Sequence, residues 1–104
     1  MKYVAKKLDL DLELTTLSGE VSNLSPKIKI NGSNCIKLAN EWKKLEQTNM
    51  DKADNKLTGL ELVAIELATI YSKPKEWWID NFDPITIRDI VAHVAETMSG
   101  VQKK

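Results

Sequence analysis

A chain of 104 residues has room for one domain around one core, and 42% hydrophobic with 29% charged residues excludes a disordered or low-complexity protein. Fifteen basic and fifteen acidic side chains cancel, and Arg88 is the only arginine, which argues against a nucleic-acid reader built on a basic surface. Cys35 is the single cysteine, so an internal disulfide is excluded, and no run reaches the ~18 to 20 apolar residues of a membrane span.

Leu8, Leu10, Leu12 and Leu14 alternate with Asp9, Asp11 and Glu13, the period of a strand with one buried and one wet face. Gly19, within Thr16-Leu17-Ser18-Gly19-Glu20, offers a turn, and a second extended run passes through Val21, Leu24, Ile28 and Ile30. Its apolar phase slips between Val21 and Leu24, and Pro26 has no N–H to give a ladder. A bulge, or a break into two short pieces on an edge strand, is therefore expected. The three acids could suggest calcium, but they lack the loop glycine and distal glutamate of an EF-hand. A solvated strand face opposite Lys27 and Lys29 is the expectation.

Asn31-Gly32-Ser33 closes the extended region and opens a helix in which Cys35, Leu38, Ala39, Trp42 and Leu45 share one face. Residues 48–56 are polar and aperiodic, which predicts a loop. Thr58 and Glu61 then form a capping box, with Leu57 and Leu62 at the positions of a hydrophobic staple. The next helix is apolar around most of its circumference, through Leu60, Leu62, Val63, Ala64, Ile65, Leu67, Ala68 and Tyr71, which predicts a central position. It should end near Ser72, because Lys73 precedes Pro74. Pro74 suits the first turn of a short helix over 75–81, and Asp83-Pro84 pairs an N-cap with a favoured first helical residue. The last helix carries Ile87, Ile90, Val91, Val94 and Met98 on one stripe, with Gly100 as its C-terminal cap and a frayed tail over 101–104. The fold class is α+β and helix-dominated, in a single domain over 1–104. It comprises a β-hairpin region over 1–31 and a helical region over 32–100, with three main helices and one short helical insert.

No constellation announces chemistry. His93 is the only histidine, and Asp89 four residues earlier predicts a weak surface pair rather than an activated base. One cysteine and one histidine fall short of the four ligands of a structural zinc site. Cys35, on an apolar helix face, is expected to be a buried and inert thiol. Neither GxGxxG nor GxxxxGK[ST] occurs. The expectation is a protein that is not an enzyme, with no catalytic residue, cofactor or metal.

Three of the six aromatic residues fall within six positions, as Trp77, Trp78 and Phe82. Neighbours on a helix point about 100° apart, so one indole can enter the core while the other is pushed to the rim. A rim indole either lies along the surface or anchors a partner. The candidate partner-binding residues are Trp77, Trp78, Ile79 and Phe82, ringed by Glu76, Asp80 and Asp83, with exposed members of the Leu60 helix as the next choice. The hairpin edge is a second candidate surface for another subunit, unless Lys27 and Lys29 act as gatekeepers against that pairing.

An acidic-alternating hairpin, a lysine-rich first helix, a hydrophobic second helix and a C-terminal stretch reading Asp80-Asn81-Phe82-Asp83 and then Ile87-Arg88-Asp89-Ile90 follow one another. Taken together they resemble the small tail assembly chaperones of long-tailed bacteriophages and prophages, over most of the chain. The resemblance implies a self-associating protein that coats the long, hydrophobic tape measure protein, helps recruit tail tube subunits, and is missing from the finished particle. It also implies the bacterial host cytoplasm; an unpaired thiol and an N-terminus without the apolar stretch of a secretory signal fit a cytosolic location. No nucleic acid and no membrane are expected as partners. The alternatives are a small structural phage tail or connector protein, and a DNA-binding regulator using the Leu60 helix in a helix-turn-helix.

Overall fold

Leucine alternation in the first segment produces a strand with one inward face. In the computed structural model, which describes residues 2, 3, 5 and 9–99, Leu10 and Leu14 are buried and Leu12 half-buried, while Asp9, Asp11 and Glu13 are exposed. The ladder itself is shorter than the alternation. Strand β1 (Leu12–Thr15) pairs antiparallel with β2 (Val21–Leu24), with Leu12 opposite Leu24 and Leu14 opposite Ser22. Leu8, expected at the start of the strand, lies outside the described residues.

β2 holds no bulge. Val21 turns outward and Ser22 and Leu24 share the face of Leu14, so the phase slip is resolved by exposing a valine. The strand then stops two residues before Pro26, as the missing N–H requires. The turn closes through Thr16, whose N–H donates to the Glu20 carbonyl (2.8 Å) while its Oγ1 accepts from the Glu20 N–H (3.1 Å). Gly19 supplies the left-handed residue of this turn, at φ +90°.

Helix α1 (Gly32–Met50) starts where the Asn31 side chain accepts the Asn34 N–H at 2.9 Å. It runs through the first part of the predicted 48–56 loop. The reason is Asn49, buried at the end of the helix, whose amide both donates to the Leu57 carbonyl (3.0 Å) and accepts from the Leu57 N–H (2.7 Å). That pair of bonds secures a last turn which local polarity argues against.

Helix α2 (Gly59–Ile70) has the complete capping box: the Glu61 N–H donates to Thr58 Oγ1 and the Thr58 N–H to Glu61 Oε1, both at 3.2 Å. The bond from the Thr58 backbone is the main cause holding the Glu61 carboxyl below its ordinary range. The helix ends at Ile70, slightly before the predicted Ser72, and Tyr71 is already extended. It is central, packing on α1, on α3 (Lys75–Asn81) and on α4 (Pro84–Ser99). Asp83 caps α4 by accepting the Thr86 N–H at 3.0 Å, and Ile87, Ile90 and Val94 are its buried stripe. Gly100 and residues 101–104, with the predicted cap and tail, lie outside the described residues.

Long-range bonds join the hairpin region to the helices. The Tyr71 phenol donates to the Leu10 carbonyl (2.6 Å), the Lys27 N–H to the Ile70 carbonyl (2.7 Å), and the Leu17 N–H to the Asn81 carbonyl (2.9 Å). The result is an α+β, helix-dominated fold. Among the described residues, no helix is long and apolar enough to cross a membrane.

Candidate functional site

The tryptophan pair divides as helix geometry requires. Trp78 is 0% exposed and Phe82 5%, whereas Trp77 and Ile79 are half-buried. The Trp78 Nε1–H donates to the Lys73 carbonyl at 3.2 Å, so its polar atom is satisfied inside the core. The Trp77 ring stands edge-on to Phe82, 5.4 Å between centroids, and the Lys73 ammonium sits 5.1 Å from its centroid. Trp78 and Phe82 are therefore core residues with no surface to present, which corrects their place among the partner-binding candidates. The physical cause is the size of α3: a helix of seven residues closing one end of α2 and α4 must fill that end with its largest rings. Trp77 and Ile79 retain an exposed edge.

The other singled-out residues are scattered. His93 is exposed and forms no ion pair with Asp89, contrary to expectation; its backbone carbonyl accepts from Thr97 Oγ1 at 2.8 Å. Cys35 is half-buried rather than buried. Among the described residues, no group of three or more histidine, cysteine, aspartate or glutamate side chains is placed to hold a metal ion.

Helix α1 is less covered than its stripe suggests. Leu38 is buried, but Cys35, Trp42 and Leu45 are half-buried and Ala39 is exposed. Beside that stripe, Ile36 is 65% and Met50 69% exposed. Both α1 and α4 pack on α2, and between them they leave a groove of about 220 Å³. Cys35, Ala39 and Trp42 line one side, and Ala95, Met98 and Ser99 the other. Past Cys35 and Met98 the groove widens toward Leu10, Ile28 and Ile30.

The narrow part is smaller than the ~300 to 1,000 Å³ of small-molecule sites, and it suits a few side chains of a docked helix. Its lining is small or soft, which lets a contact adapt to more than one sequence. Trp42 is fixed in place: its Nε1–H donates to Thr69 Oγ1 at 2.9 Å, and that hydroxyl donates to the Glu66 carbonyl at 2.5 Å. One turn back along α2, Glu66 is 7% exposed and feels the charge of Glu46 on α1. Burial first, and the Glu46 charge second, push the Glu66 carboxyl up to about 7.

Sequence patterning assigns Cys35, Ala39, Trp42 and Met98 to two core stripes and so misses the gap between them. The available signal is the small residues Ala39 and Ala95, together with apolar Ile36 and Met50 outside the stripe. Comparison of the chain with models of protein families, with curated proteins and with solved structures finds no match.

Proposed function

We propose that this protein is a non-enzymatic tail assembly chaperone of a long-tailed phage or prophage, holding an apolar helix of the tape measure protein in the groove between α1 and α4. The observation that carries this is an apolar flank of α1 that the described residues leave open, where Cys35, Ala39 and Trp42 lie across a gap from Ala95 and Met98. A long amphipathic client needs its apolar stripe masked until assembly, and a helix laid in a groove does that. Many copies on one client gain avidity even when each contact is weak. The mode of binding is supported by the groove; the identity of the client, and of the tail tube protein as a second partner, rests on the sequence resemblance. Trp77 and Ile79 extend the same contact only if the client wraps around α3.

Co-expression with the tape measure protein of the same phage is the test. The expected result is a soluble complex, lost in Ala39→Arg and Ala95→Arg, both exposed positions whose change leaves the circular dichroism spectrum intact. An insoluble long protein with no complex rules the chaperone out. Retention of the chain in purified particles favours a structural tail or connector protein instead.

A further inference from the structure

Thr16 sets the phase of the hairpin ladder. Its N–H donates to the Glu20 carbonyl, and bonded pairs in an antiparallel ladder recur at every second residue. The bonds between the strands therefore fall at Leu14–Ser22 and Leu12–Leu24. In the pairs Glu13–Asn23 and Thr15–Val21, the N–H and carbonyl groups turn away from the neighbouring strand. The sheet has two strands, so these groups line its two edges. Among the described residues, no group bonds the outward backbone of Val21 or Asn23 on one edge, or of Glu13 or Thr15 on the other.

The two edges differ in charge. Along the first lie the exposed Asp9, Asp11, Glu13 and Thr15. Pairing that edge antiparallel with its own copy about Leu14 would bring the two Glu13 side chains into diagonal contact, where like charges repel. β2 reads Val21-Ser22-Asn23-Leu24 and holds no charge, proline or bulge, the devices that guard an edge. Lys27 and Lys29, expected as gatekeepers, come after the ladder has ended at Leu24. Val21, 60% exposed, and Asn23 leave the outer face of this edge open.

We propose that β2 pairs antiparallel with β2 of a second copy, joining two hairpins into one four-stranded sheet about a two-fold axis at Ser22. The parity fits. With the axis there, Val21 of each copy stands opposite Asn23 of the other, and the outward N–H groups of each meet the outward carbonyls of the other. Across the axis only the small Ser22 faces itself. The ends are complementary as well: β2 follows the exposed Glu20 and precedes the exposed Lys27, so the acidic end of one strand runs toward the basic end of the other. A ladder this short binds weakly, and the dimer forms as concentration rises. The proposal does not depend on the groove between α1 and α4 or on what occupies it.

Sedimentation of the full chain up to about 1 mM, with amide exchange followed over the same series, is the test. A monomer–dimer equilibrium is expected, in which the Val21 and Asn23 amides slow with concentration while those of Glu13 and Thr15 stay fast. Asn23→Pro removes an outward N–H but no bond of the β1–β2 ladder, and should weaken the dimer about tenfold or more. Val21→Lys keeps every backbone group and sets like charges beside the axis; it should weaken the dimer too, and serves if the proline variant folds poorly. A chain that stays monomeric throughout the series overturns the proposal, as does a dimer that both variants leave intact. Loss of the dimer in Ala39→Arg but not in Asn23→Pro makes the groove the interface and overturns it equally. Growth beyond a dimer, with the Glu13 and Thr15 amides slowed, assigns the contact to β2 pairing head to tail with β1 and overturns the two-fold arrangement.

Discussion

The ring of Trp77 stands edge-on to that of Trp78, with 5.0 Å between centroids and 88° between planes, although the two residues are adjacent in the chain. Trp78 continues inward to Tyr71 and Phe82, each at 6.0 Å, while Trp77 lies over it and beneath the Lys73 ammonium. Adjacent tryptophans on a short helix thus make an inner plug and an outer lid, and the two carry unequal shares of stability.

Trp78→Ala should cost about 3 to 5 kcal/mol, the range for emptying a fully buried aromatic site. Trp77→Ala removes a half-buried ring and its edge contacts, so a loss of roughly 1 to 2 kcal/mol is expected. Urea unfolding of both variants measures the difference. Equal, large losses would mean that Trp77 is as deep in the core as Trp78.

Tyr71→Phe keeps the ring but leaves the Leu10 carbonyl without its donor. The expected loss is about 1 to 2 kcal/mol, because a buried acceptor stays desolvated when its partner is deleted. Burial, followed by the Asp11 and Asp9 charges, pushes the Tyr71 phenol up to about 12. Ultraviolet titration should therefore show the Tyr71 phenol ionising well above the ordinary tyrosine range; its ionisation within that range would contradict the buried bond.

Glu66 makes stability depend on pH in a defined direction. Its folded value of about 7 exceeds the ordinary 4.5, so the folded state holds the proton more tightly than the unfolded state. The stabilisation is complete below about 4.5, declines as pH rises, and is lost above about 7. Its size is about 1 to 3 kcal/mol. Other carboxylates, such as Asp83 with its bonds from Thr86, are shifted down and act in the opposite sense. The informative quantity is therefore the native chain minus Glu66→Gln, followed across pH by chemical denaturation. A difference that stays flat from pH 4.5 to 7 would refute the assignment.

Asn49→Ala removes both bonds to Leu57 and leaves two backbone groups to find water. A loss of about 1 to 3 kcal/mol is expected, with faster amide exchange confined to the last turn of α1 and the following loop. Uniform acceleration across α1 and α2 would show instead that Asn49 holds the whole helix pair together.

Features set by a few neighbouring residues are legible in the chain itself. Leucine alternation marks the first strand by its period of two, while Thr58 and Glu61 mark the start of α2 and Asp83-Pro84 the start of α4 through bonds spanning one turn. The end of α1 is not legible, since Asn49 is polar and its partner Leu57 lies across a loop. Nor is the candidate site. Patterning shows that a face is apolar but not whether a second element arrives to cover it, and Ala39 and Ala95 are left on the two sides of a gap.

By itself, then, the sequence determined the kind and order of the elements and the rule that Trp77 and Trp78 must point apart, since both follow from backbone geometry and local hydrogen bonding. Only the tertiary structure decided that Trp78 is the inner ring, that α1 and α4 both pack on α2 with a gap between them, and that Glu66 is buried. Those outcomes depend on how helices far apart in sequence pack, and burial is a property of that packing rather than of any one segment.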